Sequence, residues 1–189
     1  MGTRGGGRIY FQEDASGGTA KLRIFGNAKL DLSLHNPPGI TVGSIAGTGN
    51  IFLGAVTLAA GSNNANTTFS GLIRDGGFNG GAGGSLTKVG TGTLTLSHAN
   101  IYTGGTTIEA GTLVVTNATG SATGTGPVLV EGGRLAGAGR IAGAVVIGSG
   151  NGPGALPIRG SPQLHGHGRA IESLKILAEE PACSTKSPR

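Results

Sequence analysis

Glycine spacing constrains this chain more than any other feature. Between Gly84 and Val115 the sequence reads GSLTKVGTGTLTLSHANIYTGGTTIEAGTLVV, with a glycine every few residues and single aliphatic residues between polar ones. Leu94 and Leu96 alternate with Thr93, Thr95 and Ser97, and Leu113 and Val115 with Thr112, Val114 and Thr116. A period of two over four to six residues marks a half-buried strand. The glycines between such runs supply turns, because they adopt positive φ without steric cost. Forty glycines in 189 residues is about three times the usual share. No Gly-X-Y period accompanies them, which excludes collagen. The recurrent Val, Ile and Leu exclude a purely disordered chain.

The same grammar extends in both directions. Leu30, Leu32 and Leu34 alternate with Asp31 and Ser33, while Val128 to Val130 and Val145 to Ile147 are continuous apolar runs of the kind expected for strands covered on both sides. Three segments align by eye, beginning at Gly43, Gly84 and Gly133, with anchors Ile45, Leu86 and Leu135. With only five Phe, two Tyr and no Trp, the chain suits a thin core of stacked aliphatic residues better than a compact sandwich. Coils of about 20 to 25 residues, stacked about 4.8 Å apart, are expected. Threonine, β-branched and polar, is expected on the outer face. Residues 76–84 read as a glycine loop that projects from the rod or relaxes one coil. The segment from Arg8 to Phe25 reads as a partial cap or as the end face of a longer rod.

The run from Gly84 to Val115 closely resembles the autotransporter-associated β-strand repeat of bacterial passenger domains. The matching positions are Gly84, Leu86, Lys88, Gly90, Gly92, Leu94, Leu96, Asn100, Tyr102, Gly104, Thr106, Gly111 and Leu113. The resemblance implies an all-β, right-handed parallel β-helix (β-solenoid) and export to the cell surface, and it implies no catalytic activity. Residues 1–152 are assigned to the solenoid, with the strongest repeat at 84–115. The start, MGTRGGGRIYF, has no apolar h-region, so the chain is expected to be part of a longer precursor.

Residues 153–189 change grammar, holding five of the eight prolines and the single cysteine, Cys183. Ile171, Leu174 and Leu177 fall at helical spacing. This tail is expected to be irregular or to form one short helix, and to come from a shifted reading frame.

No site chemistry stands out. Glycine pairs such as Gly90 and Gly92 lack the context of a dinucleotide or phosphate loop. The glycine loop near Asp75 lacks the recurring aspartates of a calcium nonapeptide. Asp31, Asp75, Glu109 and Glu131 read as solvated surface acids in different coils, although stacking is able to bring two together. His165 and His167 have no third ligand at metal-site spacing. His98 reads as an exposed turn residue, and the sequons at Asn66 and Asn117 as Asn-rich turns. The net charge of +5 is spread, and no basic stripe with stacking aromatics is legible, so no nucleic-acid partner is expected. The reading therefore assigns no catalytic, cofactor-binding or metal residue, no cofactor and no membrane insertion. It leaves a non-enzymatic stalk whose partners are neighbouring coils or a membrane translocator. The alternative is an adhesin-type module binding a glycan or host surface.

Overall fold

The computed structural model describes residues 5–148; the expectations for the tail lie outside them. Fifteen strands and no helix make up the described residues. The strands are β1 (Arg8–Glu13), β2 (Gly17–Ile24), β3 (Lys29–His35), β4 (Gly39–Gly47), β5 (Asn50–Phe52), β6 (Thr57–Ala60), β7 (Thr67–Phe69) and β8 (Leu72–Arg74). They continue with β9 (Ser85–Lys88), β10 (Thr93–Leu96), β11 (Thr106–Ile108), β12 (Thr112–Val115), β13 (Val128–Val130), β14 (Arg134–Gly137) and β15 (Val145–Ile147). Every pairing is parallel and joins strands one coil apart. Parallel neighbours need a long crossover, and here the crossover is the rest of the coil. The result is a β-solenoid of about six turns.

Three faces run along the rod. Face 1 holds β1, β3, β5 and β8 in that order. Face 2 follows the path β4, β6, β9, β11, β13, β15, and face 3 the path β7, β10, β12, β14. The long strand β4 turns the corner between them: residues 39–42 pair with β6, while residues 44–47 pair with β2. Beyond β8, face 1 loses regular strands and continues through isolated bonds, such as Ile101 N–H to Ile73 O at 3.0 Å.

Inward side chains stack in columns. On face 2, Ile40, Leu58, Leu86, Thr106 and Val128 succeed one another, and beside them Val42, Ala60, Lys88, Ile108 and Val130. On face 3, Phe69, Leu96 and Val115 form one column. Leu86, Leu94, Leu96, Ile108, Leu113 and Val115 are all buried, as the period-two pattern predicts. Coil length follows from register. Leu94 lies against Leu113 in one of the shorter coils, and Leu22 lies against Ile45 in a slightly longer one. The coil that sets Leu58 against Leu86 is longer again. That coil carries the glycine loop.

Several expectations need correction. Ile45 and Leu135 lie on face 3, but Leu86 lies on face 2. The by-eye alignment thus matched different faces, because every face carries the same strand-and-glycine grammar. Of the two readings of the segment from Arg8 to Phe25, the partial cap gives way to a coil of the rod: β1 and β2 pair in register with the next coil. The run from Val128 to Val130 is buried only at alternate positions, and Val145, Val146 and Ile147 are exposed. Strands of a single-walled rod have one interior face, so an apolar run does not imply cover on both sides.

Columns make core positions sensitive and outer ones tolerant. Leu113→Ala is expected to lower unfolding free energy by about 2–5 kcal/mol. Thr95→Ala, on the outer row of the neighbouring strand, is expected to change it by about 0.5 kcal/mol or less. Urea denaturation of the two variants checks this.

Candidate functional site

The repeat positions legible in the sequence build one coil and its polar interior. Lys88 lies in the interior column of face 2, between Ala60 and Ile108, and is 1% exposed. Its Nζ donates to the carbonyls of Val89 (2.7 Å), Gly90 (2.8 Å) and, one coil on, Ala110 (3.2 Å). Three donors meet three acceptors, which offsets part of the cost of burying the charge. Gly111 makes room for it: a Cβ there would stand 2.8 Å from Nζ and closer still to the carbonyl oxygens of Gly90 and Gly92, and its φ is +66°. The glycine after Ala110 and the lysine of the preceding coil therefore form one device. Burial lowers the Lys88 ammonium below its ordinary 10.5.

Asn100 ties three coils together. Its Oδ1 accepts from Ile73 N–H (2.8 Å) in the coil before, and its Nδ2 donates to Ala122 O (2.6 Å) in the coil after. A carboxylate in its place would lose the donor, and an aliphatic residue would lose both partners. Tyr102 is fully buried and shares a hydroxyl bond with Thr106, whose Oγ1 donates to Thr123 O at 3.3 Å. Burial raises the Tyr102 phenol well above its ordinary value. The expectation that threonine lies outside fails here: Thr106 faces inward, where its hydroxyl has a partner. Among the described residues no buried side-chain nitrogen or oxygen lacks a hydrogen bond.

Corner asparagines serve the next coil. Asn64 and Asn66 accept from Thr91 N–H and Thr93 N–H, each at 2.8 Å. Asn117 is buried, accepts from Arg140 N–H (2.8 Å) and donates to Thr119 O and Gly120 O. The two sequon asparagines are thus turn residues, and His98 is exposed as expected.

The glycine loop folds back onto earlier coils. Asp75 accepts from Gly83 N–H, Gly84 N–H and the hydroxyl of Thr103 (2.6 Å), so its carboxylate is engaged by donors. Asp31 accepts from Ser33 and from Phe78 N–H (2.8 Å) in the loop. Gly77 passes directly over it: a Cβ there would collide with Asp31 Oδ1, and φ is +131°. Under this cover Asp31 is 7% exposed, which corrects its reading as a solvated acid. Among the four acids considered, stacking does bring two together. Glu131 follows Val130 and Glu109 follows Ile108, residues paired across adjacent coils. Both glutamates are exposed. They sit on the outer surface of the rod and line neither the cavity at its last described coil nor the one beside the turn from β3 to β4.

Cavities border the rod at two places among the described residues. One of about 120 Å³ at the last described coil is lined by Val115, Leu135, Ile141, Val145 and small residues, without a carboxylate. The other, of about 260 Å³, lies beside the turn from β3 to β4. Its one carboxylate, Asp14, accepts from Asn36 Nδ2 at 3.1 Å. Among the described residues no group of three or more His, Cys, Asp or Glu is placed to hold a metal ion. No helix there is long and apolar enough to cross a membrane.

A parallel rod with a polar ladder inside it defines a β-solenoid. Residues 86–115 match the family model of the passenger-associated-transport-repeat, in agreement with the resemblance read from the sequence. No curated protein and no solved structure matches the chain.

The ladder yields two predictions. Lys88→Met strands three carbonyls and is expected to cost about 1–3 kcal/mol in urea denaturation. A base with a depressed folded pKa costs stability while protonated, and that cost is relieved as pH climbs from its folded value toward 10.5. Stability of the native chain relative to Lys88→Met should therefore rise over that alkaline window. Asn100→Leu leaves Ile73 N–H and Ala122 O unpaired, again at about 1–3 kcal/mol for each group. The check is the denaturation midpoint beside that of Tyr102→Phe, which should lose only about 0.5–1.5 kcal/mol.

Proposed function

We propose that this chain is a structural spacer: a length of passenger stalk in a secreted or cell-surface bacterial protein of the autotransporter type, with no catalytic role. The observation that carries this reading is the seating of the matched repeat. Its coil continues in register both before and after, through Leu86 to Leu58 and Thr106 and through Leu94 to Leu113. A unit stacked on like units transmits length and stiffness, and its stability is shared with its neighbours. The partners on this reading are adjoining coils and a membrane translocator of a longer precursor. Glu109 and Glu131 stack on the outer surface, while Asp31 and Asp75 are engaged by backbone N–H groups. This supports a role without hydrolysis, which needs two carboxyl groups placed across one bond.

A spacer accepts changes of length. Residues 94–112 are one coil by register, and a second copy of them should add about 4.8 Å to the rod. The duplicated chain is expected to unfold in one cooperative transition at a midpoint no lower than the parent's. Placed between a signal peptide and an outer-membrane translocator, it should also reach the surface of intact cells, where added protease finds it. Loss of cooperative folding on duplication, or retention inside the cell, would count against the spacer.

A further inference from the structure

The chain has five Phe and two Tyr residues in all, and the fold gathers three of these rings on the outer surface of face 1. Tyr10, Asp31, Phe52 and Arg74 occupy one outward row across β1, β3, β5 and β8. Arg8 and Lys29 are paired in the next outward row. Lys29 Nζ lies 5.6 Å from the centre of the Phe52 ring, and Arg74 Cζ lies 5.5 Å from it. Arg8 Nη1 donates to Tyr10 Oη at 3.2 Å. Phe78 meets Tyr10 edge to face, with ring centres 6.4 Å apart. The members come from four successive coils, so a linear reading of the sequence does not bring them together.

Phe78 is 75% exposed, yet its backbone is fixed. Phe78 N–H donates to Asp31 Oδ2 and Asn79 N–H to Ser33 Oγ (2.9 Å), and Gly76 N–H closes the loop on Gly81 O (3.0 Å). The long coil thus holds a ring out in water against Tyr10, at the strip that carries Arg8, Lys29 and Arg74. Asp31 is the one acid in these rows, so three cations stand against one anion, and its carboxylate is held by Ser33 and Phe78 N–H. An aromatic ring held beside Arg and Lys is a composition enriched where surfaces bind partners.

The geometry points to a binding strip for an acidic polysaccharide, with Phe78 packing on the apolar face of a sugar ring and Arg8, Lys29 and Arg74 pairing with its carboxylates. Arginine keeps free N–H groups for a carboxylate while its plane lies on a ring. A single-stranded nucleic acid fits less well, since successive bases need successive open ring faces. Here the Phe52 ring is flanked by Lys29 and Arg74, and Tyr10 and Phe78 are paired with each other, Phe78 being the more exposed, so no run of successive open ring faces is offered. This binding role goes beyond the spacer reading, and its failure would leave the coil-duplication experiment untouched.

Isothermal titration of the full chain with oligogalacturonate tests it, with a neutral dextran oligosaccharide and oligothymidylate as controls. The expected result is binding to oligogalacturonate alone, weakened by added salt. Phe78→Ala and Arg74→Gln should each weaken it about tenfold or more, with unchanged thermal midpoints, since both side chains are exposed. Lys21→Gln and Arg134→Gln, cations on other faces, should leave it unchanged. Absence of binding, equal binding of dextran, preference for oligothymidylate, or equal loss from Lys21→Gln and Arg134→Gln would each overturn the proposal.

Discussion

The structure depends on parallel register between coils. Each strand pairs with the residue about one coil ahead and one behind, so a slip by a single residue would turn its aliphatic side chains outward. The columns on faces 2 and 3 hold that register. Leu58, Leu86 and Thr106 must coincide for Lys88 to fall between Ala60 and Ile108. The hydrophobic term is non-directional; the backbone ladder and the columns together give it a direction along the rod. Stability in such an array is local to each coil and its two neighbours.

Buried polar groups refine this register. An aliphatic column alone tolerates some sliding, because one Leu on another is much like Val on Ile. Asn100 does not tolerate it, since its two ends need Ile73 N–H and Ala122 O from opposite sides. Lys88 likewise needs carbonyls from two successive turns. Unpaired, either group would cost more than its bonds contribute. These residues lie in the one segment that matches the passenger-associated-transport-repeat. The repeat is thus a register device as well as a strand pattern.

The glycine loop shows how a solenoid acquires a surface feature without disturbing its core. The coil that contains it is longer than its neighbours, yet the columns on either side stay aligned. The added residues are secured by two carboxylates, Asp75 within the coil and Asp31 from an earlier one. Acids that would otherwise face solvent become anchors for backbone N–H groups. The loop then carries Phe78 to Tyr10.

Period-two alternation and glycine spacing were enough to read the all-β solenoid and the buried set from Leu86 to Val115, but not the variation in coil length, which runs both below and above the expected range. Those properties are local, repeating over short stretches of chain. The repeat positions at Lys88, Asn100 and Tyr102 were also legible, but only as a pattern. Their partners lie about one coil away, and no linear feature marks a carbonyl as an acceptor. Phase was not legible either: three faces share one grammar, so Leu86 aligned with Ile45 although it lies on another side of the rod. The burial of Asp31, the stacking of Glu109 on Glu131 and the gathering of Tyr10, Phe52 and Phe78 arise from summed coil lengths. An insertion anywhere along the chain changes those sums. The sequence by itself determined the strand, the turn and the stack; the tertiary structure decided which residues meet, because register is a property of whole coils.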